Sequence, residues 1–259
     1  MSERPQILLV PSWTEVQWTI KPLLEEWADV ASFDPPGVGT EPPVEGRLPE
    51  SVVARGAAEI ERRDWTRCIV AGDDFGAVFA TLIAAAQRPR VVGLALGHAC
   101  LQYRLDGPRP TMHAEILEMS RRLLDLDFSA FIRQDVGVWD SRADYSSRSA
   151  DELVEEMIRR VPREFAVRFM EELETGIGEA GGSLEPFLRQ LDLPLLLAQH
   201  TDCVVFTPYG FEDFVKAFPD ASTVGTDESP CLSADFAAAL REFVDERAAI
   251  RRRPPDSPG

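Results

Sequence analysis

The chain has 259 residues, with 27 Lys+Arg against 44 Asp+Glu and a formal net charge of -17. That length suits one large α/β domain with a sizeable core. The acidic balance repels phosphate backbones and anionic membrane surfaces, which argues against nucleic acid or a membrane as a partner. No apolar run approaches the roughly 20 residues of a membrane span, and the polar start from Met1 to Gln6 carries no export signal. Cys68, Cys100, Cys203 and Cys231 are scattered without a C-x-x-C pair, so reduced core thiols in a cytoplasmic protein are expected.

In chain order, the apolar run Ile7 to Val10 predicts a buried strand, and a helical pattern follows near Thr19 to Glu26. Strand Val30 to Phe33 precedes helix Ser51 to Arg62; strand Cys68 to Ala71 precedes helix Phe75 to Gln87; then comes strand Val91 to Leu96. From about Tyr103 to Arg189 the alternation stops, and helical patterns such as Thr111 to Leu124 and Ala150 to Val161 follow one another. Gly176, Gly178, Gly181 and Gly182 predict a flexible return towards the sheet. Strand Leu193 to Ala198, helix Phe211 to Phe218, strand Ala221 to Val224 and helix Ser233 to Arg247 complete the pattern. The expected architecture is a mostly parallel, doubly wound α/β sheet formed by residues 1–102 and 190–250, with a helical lid inserted at 103–189 and a disordered tail at 251–259.

Strand Cys68 to Ala71 runs into Gly72-Asp73-Asp74-Phe75-Gly76-Ala77 and then a helix. Glycines on both sides of Asp74 permit a sharp strand-to-helix turn that lifts the Asp74 side chain above the sheet. This segment resembles the nucleophile elbow of α/β-hydrolases, in the Asp-containing form of epoxide hydrolases and haloalkane dehalogenases. Three further segments are similar to that family: Ile7-Leu8-Leu9-Val10-Pro11-Ser12-Trp13, with Trp18 beyond it; Asp34-Pro35-Pro36-Gly37-Val38-Gly39-Thr40; and Leu193 to Asp202. The resemblance implies the α/β-hydrolase fold, with Asp74 at the nucleophile position, an oxyanion-hole N–H in the loop after the first strand, and Asp202 where the family places its acid.

The sequence departs from the family where an ester intermediate would be hydrolysed. In the loop before the last helix, Thr226 stands where the resemblance places histidine, and no histidine follows His200. Of His98, His113 and His200, only His98 falls at the end of a central strand, the edge where open parallel sheets hold ligands. The expected catalytic residues are Asp74, His98 and Asp202, with Asp74 and His98 sharing one pocket. Ser12, Trp13, Asp73, Phe75, Tyr103, Trp139, Tyr145 and Thr226 are the expected substrate-binding residues. Pro11-Ser12 in place of His-Gly lends the loop a hydroxyl, and Phe75 lacks the indole N–H with which dehalogenases hold halide.

No metal-ligand spacing, dinucleotide signature or phosphate loop is present, so no metal and no cofactor is expected. The expected partner is a small, largely apolar organic substrate, with a homodimer left open. Three readings follow: Asp74-dependent acid/base chemistry other than ester hydrolysis; an epoxide-hydrolase-like reaction with His98 as base; or a non-catalytic ligand-binding or interaction protein on the same scaffold.

Overall fold

A computed structural model describes residues 4–105, 107–139, 150–179, 183–200, 203 and 205–250. Six strands, β1 (Gln6–Val10), β2 (Asp29–Ser32), β3 (Cys68–Asp73), β4 (Val91–Gly97), β5 (Leu195–His200) and β6 (Ser222–Thr226), form one sheet in the order β2-β1-β3-β4-β5-β6. All pairings are parallel. The chain winds outward from β1 to β2 and then crosses back to β3, so strand order reverses between β1 and β3. In open α/β sheets ligands bind at the carboxyl edge beside such a reversal.

Helices α1 (Lys21–Glu25), α2 (Leu48–Arg62), α3 (Phe75–Ala86), α9 (Pro208–Ala217) and α10 (Ala234–Ile250) connect or follow the strands. Proline in the first turn of α1, α2 and α9 supplies a preset φ and sacrifices an N–H that the helix would not use. Helix α3 is apolar almost all round because it lies between the sheet and α2, and every residue of β3 beside it is buried. Gly56 of α2 permits that contact, since a Cβ there would lie 2.3 Å from Ile83 Cδ1.

Between β4 and β5 the described residues form α4 (Ala114–Leu126), α5 (Phe128–Trp139), α6 (Ala150–Arg160), α7 (Arg163–Glu179) and α8 (Glu185–Leu191). The only extended contacts in this stretch of described residues are the isolated bridges Gln102↔Ser183 and Met112↔Phe206. Helix α4 begins later than the periodicity predicts because Thr111 is drawn into backbone bonds with Arg104 and Thr207.

The glycine-rich return requires a correction. Gly176 and Gly178 lie within α7, while Gly181 and Gly182 fall outside the described residues. A helix already anchored by buried Phe165, Ala166 and Phe169 can extend through a glycine at a cost of only about 1 kcal/mol. The predicted tail at 251–259 also lies outside the described residues.

Arg160, at the end of α6, joins these helices to the sheet. Its Nη1 lies 2.6 Å from Asp34 Oδ2 and 3.4 Å from Glu15 Oε1. The other Asp34 oxygen accepts from Thr14 Oγ1 at 2.6 Å and from the Glu15 N–H at 2.9 Å. Gly39, at φ +60, completes the turn: a Cβ there would lie 2.2 Å from Asp34 Oδ2, so glycine leaves the space that the carboxylate fills.

Candidate active site

Asp74 joins β3 to α3 at φ 56 and ψ -126, a conformation that non-glycine residues rarely adopt. Its N–H donates to Gly97 O at 3.0 Å, and its carbonyl accepts from the Ala77 N–H at 3.0 Å. The turn closes only because its flanks lack side chains. A Cβ on Gly72 would sit 2.2 Å from Gly76 O, and one on Gly76 would sit 2.4 Å from Val10 O.

The Asp74 side chain does not cap α3. Ser12 performs that service from the loop after β1: its buried hydroxyl donates to Asp73 O at 2.8 Å and accepts from the Gly76 N–H at 3.1 Å. The sequence reading assigned this hydroxyl to substrate, whereas here it braces the elbow. The same loop turns three N–H groups inward, those of Ser12, Trp13 and Thr14, and all three donate to Gln17 Oε1, at 3.1, 3.0 and 3.4 Å. An amide oxygen of the chain itself therefore engages the N–H groups of the loop in which the sequence places an oxyanion donor.

Sheet register decides the partner of His98. Asp73 pairs with Gly97, which brings the next residue of β4's exit, His98, beside the Asp73 carboxylate. Gly97 makes room, since a Cβ there would lie 2.5 Å from Asp73 Oδ1. His98 Nδ1 lies 3.0 Å from Asp73 Oδ1, and Asp73 Oδ2 accepts from Ser229 Oγ at 2.8 Å and from the Cys231 N–H at 3.1 Å. The carboxylate bonded to His98 is Asp73, a residue expected from the sequence to contact substrate.

Burial alone would raise the Asp73 carboxyl, but the His98 charge and the three hydrogen bonds outweigh it and hold Asp73 below the usual carboxylate range. Burial would likewise disfavour a charged imidazole, yet Cys203 and Asp73 together raise His98 well above its ordinary value. His98 also carries a positive φ of 47, so two adjoining strand exits hold non-glycine residues in left-handed conformations.

Around this edge lies an aromatic cluster. Phe75 stacks on Tyr103 with centroids 6.0 Å apart, and its edge meets Phe169 of α7 at 5.6 Å. Trp13 contacts the same Phe169 at 4.4 Å and Phe131 of α5 at 5.6 Å. Phe206 stacks on the His98 ring at 5.7 Å, with the planes only 13° apart. Burial, with smaller contributions from Cys100 and Asp74, pushes the Tyr103 phenol well above its ordinary value, so it stays protonated.

Other expected site residues are placed differently. Thr226, at the end of β6, donates its hydroxyl to Glu228 O at 2.6 Å and so serves its own turn. Trp139 is the last residue of α5, but its side chain, Tyr145 and Asp202 all lie outside the described residues. His113 lies at the start of α4 beside Glu115, and the His200 ring lies 6.2 Å from that of His98. Among the described residues, no group of His, Cys, Asp and Glu has a geometry that would hold a metal ion.

Sequence reasoning missed Gln17, Ser229, Phe169, Phe206 and Cys203. Only for Cys203 was a signal present, its position beside Asp202 in the loop that the family resemblance marked. It is half-buried and interacts with His98, whereas the sequence reading grouped it with the core thiols.

A parallel sheet with helices on both faces and a strained strand-turn-helix residue at its switch point defines the α/β-hydrolase fold, and this chain has it. Solved structures agree over nearly the whole length. A bromoperoxidase from Bacillus anthracis superposes with a TM-score of 0.75 at 15% identity, covering 94% of this chain and 92% of its own. A hydrolase from Oleispira antarctica gives 0.74 at 14% identity, with coverage of 94% and 92%. The 2-hydroxy-6-oxo-6-phenylhexa-2,4-dienoate hydrolase of Rhodococcus sp. strain RHA1 gives 0.74 at 14% identity, with 93% and 91% covered. No protein-family model and no curated protein sequence matches the chain.

Proposed function

We propose that this protein is an α/β-hydrolase-fold enzyme of the epoxide hydrolase and dehalogenase type that has left ester hydrolysis. In this reading, Asp74 carries out acid/base chemistry on a small, largely apolar organic molecule. The observation that carries the proposal is the loop after β1. The Trp13 N–H, which would have to stabilise a developing oxyanion, donates instead to Gln17 Oε1. Acyl transfer loses one of its two oxyanion donors when that N–H is engaged. The place of the hydrolytic histidine supports the same reading, because Thr226 there bonds its own turn and Ser229 and Cys231 hold Asp73.

Asp74 keeps its strained position at the switch point, at the edge where a reacting group must lie. Its carboxylate would take a proton from an activated carbon or hydroxyl and return it elsewhere in the molecule, in an isomerisation, elimination, ring opening or cyclisation. Tyr103, protonated and stacked on Phe75, supplies a hydroxyl donor, and the rings of Trp13, Phe75, Phe169 and Phe206 favour an apolar substrate. Helices α4 to α7 act as the lid that excludes water.

The test incubates the protein in deuterium oxide with a panel of small ketones, lactones and epoxides, and reads solvent-deuterium incorporation by mass spectrometry. Incorporation that disappears in Asp74→Asn is the expected result. Ordinary esterase turnover of short aryl esters that is lost in Asp74→Ala, or a stable covalent adduct on Asp74, would refute it.

A further inference from the structure

Strands β3 and β4 end in register, Asp73 opposite Gly97, and the next residue of each, Asp74 and His98, leaves its strand at a positive φ. The Asp74 N–H donates to Gly97 O and the His98 N–H to Ala198 O, both at 3.0 Å. Two proton-carrying side chains therefore start from adjoining strands at the carboxyl edge, where the backbones lie about 5 Å apart. Asp74 is the base in the function proposed above, and His98 has no part in it yet.

The imidazole is held from two sides. Its Nδ1 lies 3.0 Å from Asp73 Oδ1, and the other Asp73 oxygen is fixed by the Ser229 hydroxyl at 2.8 Å and the Cys231 N–H at 3.1 Å. Ser229 and Cys231 belong to the loop between β6 and α10, where the resembled family carries its histidine; here that loop anchors the carboxylate of a histidine on another strand. Phe206 covers the face of the His98 ring, with the planes 13° apart. In a planar ring so held, Nε2 points away from Asp73. It is buried and makes no hydrogen bond of normal geometry among the described residues, a polarity that a bound substrate would answer. Phe206 also meets the edges of Phe75 and Tyr103, at 6.5 and 6.4 Å, so His98 belongs to the aromatic cluster that begins one residue after Asp74. The Tyr103 hydroxyl is likewise buried without a hydrogen bond of normal geometry among the described residues.

We propose that His98, oriented by Asp73, is the acid that completes the Asp74 reaction, and that the substrate is a small β,γ-unsaturated ketone converted to its α,β-unsaturated isomer. This rests on Asp74 as the base. Asp74 takes a proton from the α-carbon, and the C–H electron pair moves onto the carbonyl as a dienolate, whose oxygen accepts from the Tyr103 hydroxyl. The carbonyl then re-forms, the double bond shifts to the α and β carbons, and the γ-carbon takes the proton from His98 Nε2. Asp74 is left protonated and His98 neutral; one proton passed from the first to the second through water restores both. A proton shift along three carbons needs an acid and a base over one planar unit, as two adjoining strand exits provide, and a flat conjugated framework suits the rings of Phe75, Tyr103 and Phe206.

The electrostatics agree with the geometry. An ionised Asp73 beside an imidazolium makes a pair with no net charge, which eases the burial of both. Burial opposes the charge on His98, but the charges around it outweigh burial and raise its pKa well above the ordinary value, so the ring carries a proton to give. The other titratable groups around the pair are Asp74, Cys100, Tyr103, Cys203, Cys231 and His200.

The experiment incubates the full-length protein in deuterium oxide with allyl phenyl ketone or allyl methyl ketone, and proton NMR follows exchange at the α-carbon and delivery to the γ-carbon separately. Wild type should place deuterium on the γ-carbon of the conjugated product. His98→Asn should keep α-exchange but lose γ-delivery by about a hundredfold, because asparagine tolerates a positive φ and still donates to Asp73 yet has no proton to transfer. Asp74→Asn should lose both. Nitrogen-15 NMR of the histidines in wild type provides a reading that needs neither variant nor substrate: His98 should be an imidazolium at neutral pH, with a midpoint that falls by at least about one pH unit in Asp73→Asn. A neutral His98 at neutral pH, γ-delivery undiminished in His98→Asn, or no γ-delivery from either ketone overturns the proposal, and α-exchange then decides by itself whether Asp74 survives as the base.

Discussion

Ser12→Ala tests whether the hydroxyl in the loop after β1 belongs to the fold or to a substrate. In wild type that hydroxyl gives one hydrogen bond to Asp73 O and takes one from the Gly76 N–H, both away from solvent. Alanine fits the space but leaves the Gly76 N–H at the start of α3 without its acceptor and removes one donor from Asp73 O. An orphaned buried N–H costs about 1–3 kcal/mol, and a carbonyl, which has two lone pairs, costs less. The sum is about 2–4 kcal/mol. For a domain of this size each 1 kcal/mol lowers the melting temperature by about 2–4 °C, so a fall of roughly 4–16 °C is expected. Asp74 should relax as well, because the turn that strains it loses its brace. Calorimetry reads the first effect, and amide exchange at Gly76 and Ala77 reads the second. A melting temperature within about 2 °C of wild type, with altered ligand affinity instead, would show that Ser12 faces the substrate and that this account of the elbow is mistaken.

Three other perturbations follow from the same geometry. Gly72→Ala, whose Cβ would overlap Gly76 O, should abolish soluble folded protein rather than merely slow it, as circular dichroism of the expressed variant will show. Arg160→Met, which leaves the buried Asp34 carboxylate with only Thr14 and the Glu15 N–H, should cost about 2–3 kcal/mol in urea unfolding and deprotect α6 in hydrogen exchange; unchanged protection there would mean that Arg160 does not tie α6 down. Glu59 should impose a pH dependence: burial pushes its carboxyl up, but bonds from Arg62, Arg63 and Arg55 outweigh this and bring it to about 2 from 4.5. A depressed carboxyl contributes its stability fully above pH 4.5 and loses it as pH falls towards 2, so Glu59→Gln should destabilise by about 1–2 kcal/mol at neutral pH, after allowance for solvent around the arginines, and by little near pH 2. A difference that stays constant from pH 7 to pH 2 would contradict that assignment.

What the sequence determines by itself is whatever depends on neighbours along the chain. The inner strands are legible because buried parallel strands read as continuous apolar runs, and their ends shift by a residue or two where pairing extends them, as at Asp73 and Gly97, whereas the half-exposed edge strand β6, Ser222–Thr226, carries a weaker signal. The elbow is legible because Gly72, Asp74 and Gly76 lie within one turn, and the glycine requirement is a local clash. The Asp34-to-Gly39 turn is legible for the same reason. Only the tertiary structure decides the partners. Whether His98 meets Asp73 or Asp74 turns on a single step of register between β3 and β4, and that step is fixed by pairing across the sheet, which no spacing along the chain encodes. Gln17 reaches back onto the loop N–H groups because a 3₁₀ turn at Glu15–Gln17 aims it there, and Ser12 caps a helix distant in sequence because β1 and β3 are neighbours. Cys203 reads as one more apolar-flanked cysteine until the fold brings the Phe206 N–H to its sulfur and stacks the Phe206 ring on His98. A thiol's reactivity belongs to the field around it, and that field exists only once the chain has folded.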